Sequence, residues 1–195
     1  MSEAGYLVID LEATCCDAGT IPREETEMIE IGAVVARGGS LEIVDEFSTF
    51  VRAVRHPRLT AFCMELTSIS QEQVDGAPRF AEAIESLVEW TNKRPGLLFC
   101  SWGDYDRNQF IRECRSSGIA YPFGDEHLNL KKRFSERQGL RRRFGMAAAL
   151  RKAGLPLTGT HHRGIDDARN IARLLPFIVG DETVATDRRR RTGES

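Results

Sequence analysis

Two acidic residues interrupt an apolar segment near the start of the chain, where Asp10 and Glu12 stand in VIDLEAT. Residues at i and i+2 of a β-strand project from the same face, so the two carboxylates would lie side by side. Burying them unpaired would cost several kcal/mol, and a cation must therefore offset their charge. A lone DxE also occurs at strand ends, where water or an arginine satisfies the acids. The pair alone leaves a structural and a catalytic interpretation open.

A further acid, Asp106, lies in SWGDYDRNQF, directly after the apolar segment LLFCSW. The helix predicted to start here buries Phe110 and Cys114, at i+4 and i+8 from Asp106, so Asp106 shares the packed face. Asp104 is free to serve as the N-cap of that helix. We therefore expect Asp106 to face inward, although an N-cap aspartate is the more common role for an acid at this place.

A third segment, THHRGIDDARNIARLL, predicts an amphipathic helix with an acid on its buried face. Asp167 is four residues before Ile171 and shares the apolar face with it, whereas Asp166 aligns with Asn170 and Arg173 on the solvent side. Asp167 is thus the second helical acid expected to point inward.

The loop before this helix contains two adjacent histidines. His162 is five residues before Asp167 and close enough to reach the same site, whereas His161 is five before Asp166 and takes its outward register. A loop histidine is more often a surface residue than a catalyst. Here, however, the short loop ties His162 to an inward acid.

The inward acids of these three elements form an all-oxygen set, which suits Mg²⁺ or Mn²⁺ and not zinc. They are Asp10, Glu12, Asp106 and Asp167. Two such ions roughly 4 Å apart promote in-line attack of water on a phosphodiester. Histidine has an unperturbed pKa of about 6.5, which suits His162 to take the proton from that water.

The segments VIDLEAT, GDYDRNQF and HRGIDDARNIARLL, in this order and separation, resemble the three exonuclease motifs of the DEDDh branch of the DnaQ-like, RNase H-like 3′-to-5′ exonucleases. The resemblance extends from about Tyr6 to Ile178. It implies two Mg²⁺ or Mn²⁺ ions as cofactors and His162 as the general base. The metal ligands that it implies are Asp10, Glu12, Asp106 and Asp167.

A narrower resemblance links DLEATCC, LTAFCMELTSISQEQVDGAPRF and SWGDYD to the Eri-type exoribonucleases. It implies that Phe62 and Tyr105 clamp the terminal base, with Leu66 nearby. It further implies that Ala13 and Thr14 meet the terminal ribose through backbone and hydroxyl. Phe62 could instead be a core aromatic residue. The implied activity is 3′-to-5′ hydrolysis of short or single-stranded RNA, with release of nucleoside 5′-monophosphates.

Two other functions stay open at this point. The same chemistry could act on DNA, as in proofreading subunits, because no motif reads a 2′-hydroxyl unambiguously. The chain could also be a non-catalytic regulatory protein on the same fold. The presence of all five catalytic residue types argues against this, because a scaffold has no need for four carboxylates that repel one another.

These residues must be positioned by strands and helices in an α/β arrangement. YLVID, MIEIGAVVAR and LEIVDEFSTFV predict three strands, the last two as a hairpin, and LLFCSW predicts a fourth strand buried on both faces. We expect an RNase H-like mixed sheet of about five strands, the first three antiparallel, flanked by helices. Short helices are predicted in RLTAFCMELT and SQEQVDG, followed by an amphipathic helix that ends at about 92. Four further helices are predicted over about 105–117, 128–137, 144–153 and 164–178.

A basic segment and a charged tail follow. The basic residues could track the RNA backbone or could form a solvated helix face. They include Lys131, Lys132, Arg133, Arg141, Arg142 and Arg143. We predict an exonuclease domain over 1–180 and a disordered charged tail over 181–195, whose arginines 188–191 could contact RNA.

Composition narrows the class of protein. A length of 195 residues predicts one globular domain. The net charge of −2 is close to zero, so the protein as a whole does not attract nucleic acid electrostatically. No apolar segment approaches the roughly 20 residues that cross a bilayer. The five cysteines have no zinc-like spacing, and nothing at the start resembles a signal peptide, so we expect a reduced, cytoplasmic protein.

Overall fold

One mixed sheet of five strands organises the chain in the computed structural model, which describes residues 5–184. The order across the sheet is β3-β2-β1-β4-β5, with β1 to β3 antiparallel and β4 and β5 parallel to β1. The expected RNase H-like mixed sheet with an antiparallel start is confirmed. The strands are β1 (Gly5–Ala13), β2 (Met28–Ala36), β3 (Ile43–Phe50), β4 (Leu97–Ser101) and β5 (His127–Asn129).

Helices cover both faces of this sheet because its central strands are apolar on both faces. In β1, Val8 packs into a core with the helices of the second half of the chain, whereas Leu7 and Ile9 pack on the opposite side, against α3 and α4. The helices are α1 (Ala61–Thr67), α2 (Gln71–Asp75), α3 (Phe80–Asn92), α4 (Tyr105–Ser117), α5 (Leu130–Arg137), α6 (Met146–Lys152), α7 (Gly164–Ala172) and α8 (Leu175–Ile178).

Two helix predictions need correction. The residues around 128 form β5 before α5 starts, and the side chain of Asn129 caps α5 by accepting from the Lys132 N–H at 2.9 Å. The single helix predicted over 164–178 is two helices, α7 and α8. Pro176 lies in the first turn of α8, where its missing N–H is tolerated, but inside a continuous helix it would remove a hydrogen bond.

The predicted tail begins within packed structure. Val184 is buried, and its N–H donates to Oε1 of Gln138 at 2.8 Å, so the ordered part extends past 180. Residues 185–195, including the four arginines at 188–191, lie outside the described residues, and the role of that segment stays a prediction. Among residues 5–184, no helix has the length and apolar character needed to cross a bilayer.

Helix α7 lies directly on β2, because two glycines meet there. A Cβ on Gly32 would stand 2.0 Å from the carbonyl carbon of Gly164, and a Cβ on Gly164 would stand 3.0 Å from the carbonyl oxygen of Asp10. Only glycines permit backbones to approach this closely. The contact sets the first turn of α7, and therefore Asp167, against the end of β1.

Candidate active site

The site is centred on the end of β1, the middle strand of the sheet. Asp10 is half-buried there and Glu12 is buried, and α7 brings Asp167 beside them, also buried. One ligand oxygen from each of these three carboxylates lies within 4.8 Å of the other two. The structure therefore joins three of the four acids that the sequence singled out into one potential metal-binding group.

The fourth acid, Asp106, faces the same cleft from the first turn of α4. Its side chain is only 4% exposed, and its Oδ1 accepts the backbone N–H of Leu11 at 3.1 Å, between the two acids of β1. Asp104 occupies the N-cap position of α4, but its side chain makes no capping hydrogen bond and is exposed. The expected capping bond is thus absent, while Asp106 points inward.

The two aspartates of α7 diverge as expected, but the assignment of Asn170 to the solvent side is wrong. Asp167 points into the cleft, whereas Asp166 accepts the Thr160 N–H and pairs with Arg169. Asn170 is fully buried, because residues 155–160 fold over this face of α7. Its amide there donates to the Thr158 carbonyl and accepts from the Thr158 N–H.

Both histidines line the cleft. His162 has φ +64°, and in this conformation its backbone N–H donates to Oδ2 of Asp167 at 3.1 Å. His161 is exposed, as its register predicted, yet its Nε2 lies 3.8 Å from the same Oδ2, and the two rings are 3.9 Å apart. Partial burial and the neighbouring His161 both lower the pKa of His162, which favours a neutral imidazole able to accept a proton.

Arg163, which was not predicted from the sequence, forms an ion pair with Glu30, an acid of the neighbouring strand β2. Its Nε and Nη2 each donate to the carboxylate of Glu30 at 3.1 Å, and the Gly164 N–H adds a third bond to that carboxylate at 2.8 Å. Glu30 is fully buried in β2 and lies opposite Glu12 in the sheet. An acid inside an otherwise apolar strand was the signal that could have revealed this pair. The pair anchors the loop that carries His162.

The site carboxylates resist ionisation. Burial, followed by the neighbouring acids, raises the pKa of Asp10 well above its usual value and the pKa of Glu12 to about 8. Burial also raises the pKa of Asp106 and of Asp167 to about 6. Oδ1 of Asp167 is buried and has no hydrogen-bond partner. An unsatisfied oxygen in an all-carboxylate group fits a divalent, oxygen-preferring cation, which would lower each of these pKa values.

The residues expected to meet the terminal nucleotide differ in their exposure. Phe62 and Leu66 lie one turn apart on α1 and are 38% and 37% exposed, so Phe62 is not a core aromatic residue. Tyr105 is 38% exposed and lines the cleft. Ala13 is buried, and Thr14 is 1% exposed, with its hydroxyl accepting the Glu27 N–H at 3.0 Å. The Thr14 hydroxyl thus links the end of β1 to the start of β2, and the ribose contacts of Ala13 and Thr14 stay a prediction.

Further lining residues of this cleft, which has a volume of about 520 Å³, were not predicted from the sequence. One of them is Trp102, held by a hydrogen bond from its Nε1 to the Phe144 carbonyl at 3.1 Å. The others belong to α6 and its N-cap, and together they form a wall of the cleft. They are Gly145, Met146, Ala147, Ala148 and Arg151.

The basic segment approaches this wall without entering the cleft. None of its six predicted contact residues lines the cleft. Nζ of Lys132 lies 3.8 Å from Oε1 of Glu136 on the same helix. The Arg142 guanidinium lies 5.0 Å from the ring centroid of Phe144, the residue that precedes Gly145 of the cleft. The phosphate-tracking role of Lys131, Lys132, Arg133, Arg141, Arg142 and Arg143 stays a prediction.

An RNase H-like sheet that gathers four carboxylates and a histidine in one cleft defines the DEDDh class of exonucleases. In agreement, the profile of the Exonuclease (RNase_T) family matches residues 7–175, and the chain belongs to this family. Exonucleases of the DEDDh family are metal-dependent, which agrees with the acidic group at the end of β1.

Individual relatives agree with this assignment. Human ERI1 exoribonuclease 3 is 35% identical over 185 residues, covering 89% of this chain and 53% of the relative. The probable 3′-5′ exonuclease KapD of Bacillus subtilis (strain 168) is 31% identical, covering 93% of this chain and 88% of KapD. The crystallographic nuclease domain of 3′hExo, a DEDDh family member bound to rAMP, superposes with a TM-score of 0.83 at 31% identity, covering 88% of this chain and 90% of that domain. The chain spans about half the length of the ERI1-type relatives.

Proposed function

We propose that the protein is a metal-dependent 3′-to-5′ exoribonuclease that hydrolyses short or single-stranded RNA and releases nucleoside 5′-monophosphates. The observation that carries this proposal is the convergence of four inward carboxylates and His162 on one cleft. Several relatives are named exoribonucleases, and the 3′hExo nuclease domain holds a ribonucleoside monophosphate, the kind of product expected here.

The acids at the end of β1 and on α4 and α7 are the expected metal ligands, whereas Glu30 has a structural role. Two Mg²⁺ or Mn²⁺ ions, when bound, would activate the attacking water and stabilise the leaving oxygen. The residues that would hold them are Asp10, Glu12, Asp167 and, from the first turn of α4, Asp106. The pair between Glu30 and Arg163 remains outside this ligand set, because both Glu30 oxygens already accept hydrogen bonds.

His162 would remove the proton from the attacking water. Its imidazole is neutral near pH 7, because its pKa is lowered, and its backbone bond to Asp167 fixes it at the rim of the acidic group. Tyr105 and Phe62 offer exposed rings for stacking on the terminal base. Stacking contributes about 1–3 kcal/mol per base and tolerates every base, so low sequence preference is expected.

Matched RNA and DNA oligonucleotides, labelled at the 5′ end and incubated with Mg²⁺, test this proposal. We expect the RNA to shorten from its 3′ end in single-nucleotide steps with release of 5′-monophosphates, and Asp106→Ala to abolish this while its circular dichroism stays that of wild type. Preferential degradation of the DNA would establish the proofreading-like alternative. Full activity in Asp106→Ala would contradict the site assignment.

The cytoplasmic location stays a prediction.

A further inference from the structure

Arg151 is the one lysine or arginine among the described residues that line the catalytic cleft. It lies on α6, on the same face as Ala147 and Ala148, which are four and three residues before it. The two alanine side chains are small, and Arg151 itself is exposed. The acidic group lines the same cleft.

The Arg151 side chain is available for binding. Within residues 5–184 it makes no ion pair and no hydrogen bond, whereas Arg163 is held by Glu30 and Arg169 by Glu46. Those two arginines already serve the fold. An unpaired guanidinium that lines the same cleft as four carboxylates is suited to bind a substrate anion that enters this cleft.

We propose that Arg151 binds a phosphate of the RNA strand on the 5′ side of the scissile phosphate. This inference rests on the proposed function. In 3′-to-5′ hydrolysis the scissile phosphate is the last one of the strand and must lie at the carboxylates, so every other phosphate lies upstream. The alanine face of α6 lets the sugar–phosphate backbone approach closely. The planar guanidinium can then take two phosphate oxygens at once.

Substrates with different numbers of phosphates separate this role from any effect on catalysis. A dinucleoside monophosphate contains only the scissile phosphate, whereas a tetranucleotide contains two or more further ones. For Arg151→Gln we expect the KM for the tetranucleotide to rise about tenfold, which corresponds to a loss of about 1.4 kcal/mol in binding. The kcat for the tetranucleotide and the KM for the dinucleoside monophosphate should stay within twofold of wild type.

Arg115→Gln is the matched control, because Arg115 is an exposed arginine near the end of α4 that does not line the cleft. It should leave both KM values unchanged. Removing one phosphate contact should also lower the slope of log KM against log salt by about one. An equal loss on both substrates, or no loss on the tetranucleotide, would overturn the role of Arg151. Failure of the wild type to hydrolyse either RNA would instead overturn the proposed function, and this inference with it.

Discussion

The loop ahead of α7 presents two histidines, and a single backbone bond distinguishes them. His162 adopts a left-handed backbone conformation and its N–H binds Asp167, whereas His161 is more exposed and approaches Asp167 only with its ring. A left-handed backbone is uncommon for residues other than glycine and persists where its surroundings hold it in place. Here the bond to Asp167 and the neighbouring pair of Arg163 with Glu30 hold this loop.

His162→Ala should lower kcat by about 100-fold or more, because general-base catalysis contributes about 10² to 10⁴. A neutral base loses activity as pH falls through its pKa, and the pKa of His162 is lowered, so the wild-type rate should decline only below the usual histidine range. The carboxylates of the site also titrate in this range, so rates between pH 5 and 8 should be measured at saturating Mg²⁺. The decline towards low pH should then be clear in wild type and in the control His161→Ala, and weaker in His162→Ala. If His161→Ala lowered kcat more than His162→Ala does, His161 and not His162 would be the general base.

Helical periodicity alone was enough to predict which acids point inward, because Asp106 and Asp167 share faces with apolar residues of their own helices. It could not predict their partners. Glu30 and Arg163 are 133 residues apart in sequence, and only the packing of α7 on β2 brings them together. The burial of the Thr14 hydroxyl and of the Asn170 amide was not predicted for a similar reason. Each group is covered by a segment outside its own strand or helix, at Glu27 and at Thr158.

At the scale of elements, the long helix α4 follows its predicted bounds, since its apolar period extends over 13 residues. The short elements do not. Strand β5 has three residues and exists through its pairing with β4, which no local pattern encodes. The break between α7 and α8 was marked by Pro176, but the apolar period continues across it and favoured one helix.

The contact of α7 with β2 can be tested with one methyl group. In Gly32→Ala the new Cβ would stand 2.0 Å from the Gly164 carbonyl carbon, so α7 must shift. Overpacking of this kind costs about 1–3 kcal/mol of unfolding free energy. The shift would also move Asp167, and kcat should fall even where the protein stays folded.

Urea unfolding and kcat, both measured on Gly32→Ala, check this prediction. Gly124→Ala is the matched control, because a Cβ there meets no atom within 4 Å. Wild-type stability and wild-type kcat in Gly32→Ala would show that α7 does not depend on this close approach.

For the molecule as a whole, the site brings four carboxyl groups together in a protein whose net charge is only −2. The pKa of Glu12 is raised from 4.5 to about 8, so the metal-free fold favours the protonated carboxyl. A carboxyl whose pKa is higher in the folded than in the unfolded state stabilises the fold fully only below the unfolded pKa, here 4.5. This contribution to the unfolding free energy is lost as pH rises towards 8. Glu113, buried outside the site with a pKa raised to about 7, adds to the same trend.

A divalent cation binds the deprotonated acids, and its stabilising effect should therefore grow as pH rises. Because Glu113 contributes equally with and without metal, the difference between metal-bound and metal-free protein at one pH isolates the site. The same subtraction removes the contribution of every other titrating group remote from the cleft.

The thermal unfolding of metal-free protein, with and without Mg²⁺ or Mn²⁺ at pH 6 and pH 8, tests the central claim most directly. We predict that the cation raises Tm, more at pH 8 than at pH 6, and that Glu12→Gln removes most of the increase. At a concentration of 100 times Kd, the stabilisation would be about 2.7 kcal/mol. A Tm that neither cation raises at either pH would contradict a metal-dependent nuclease and favour a non-catalytic regulatory protein on this fold.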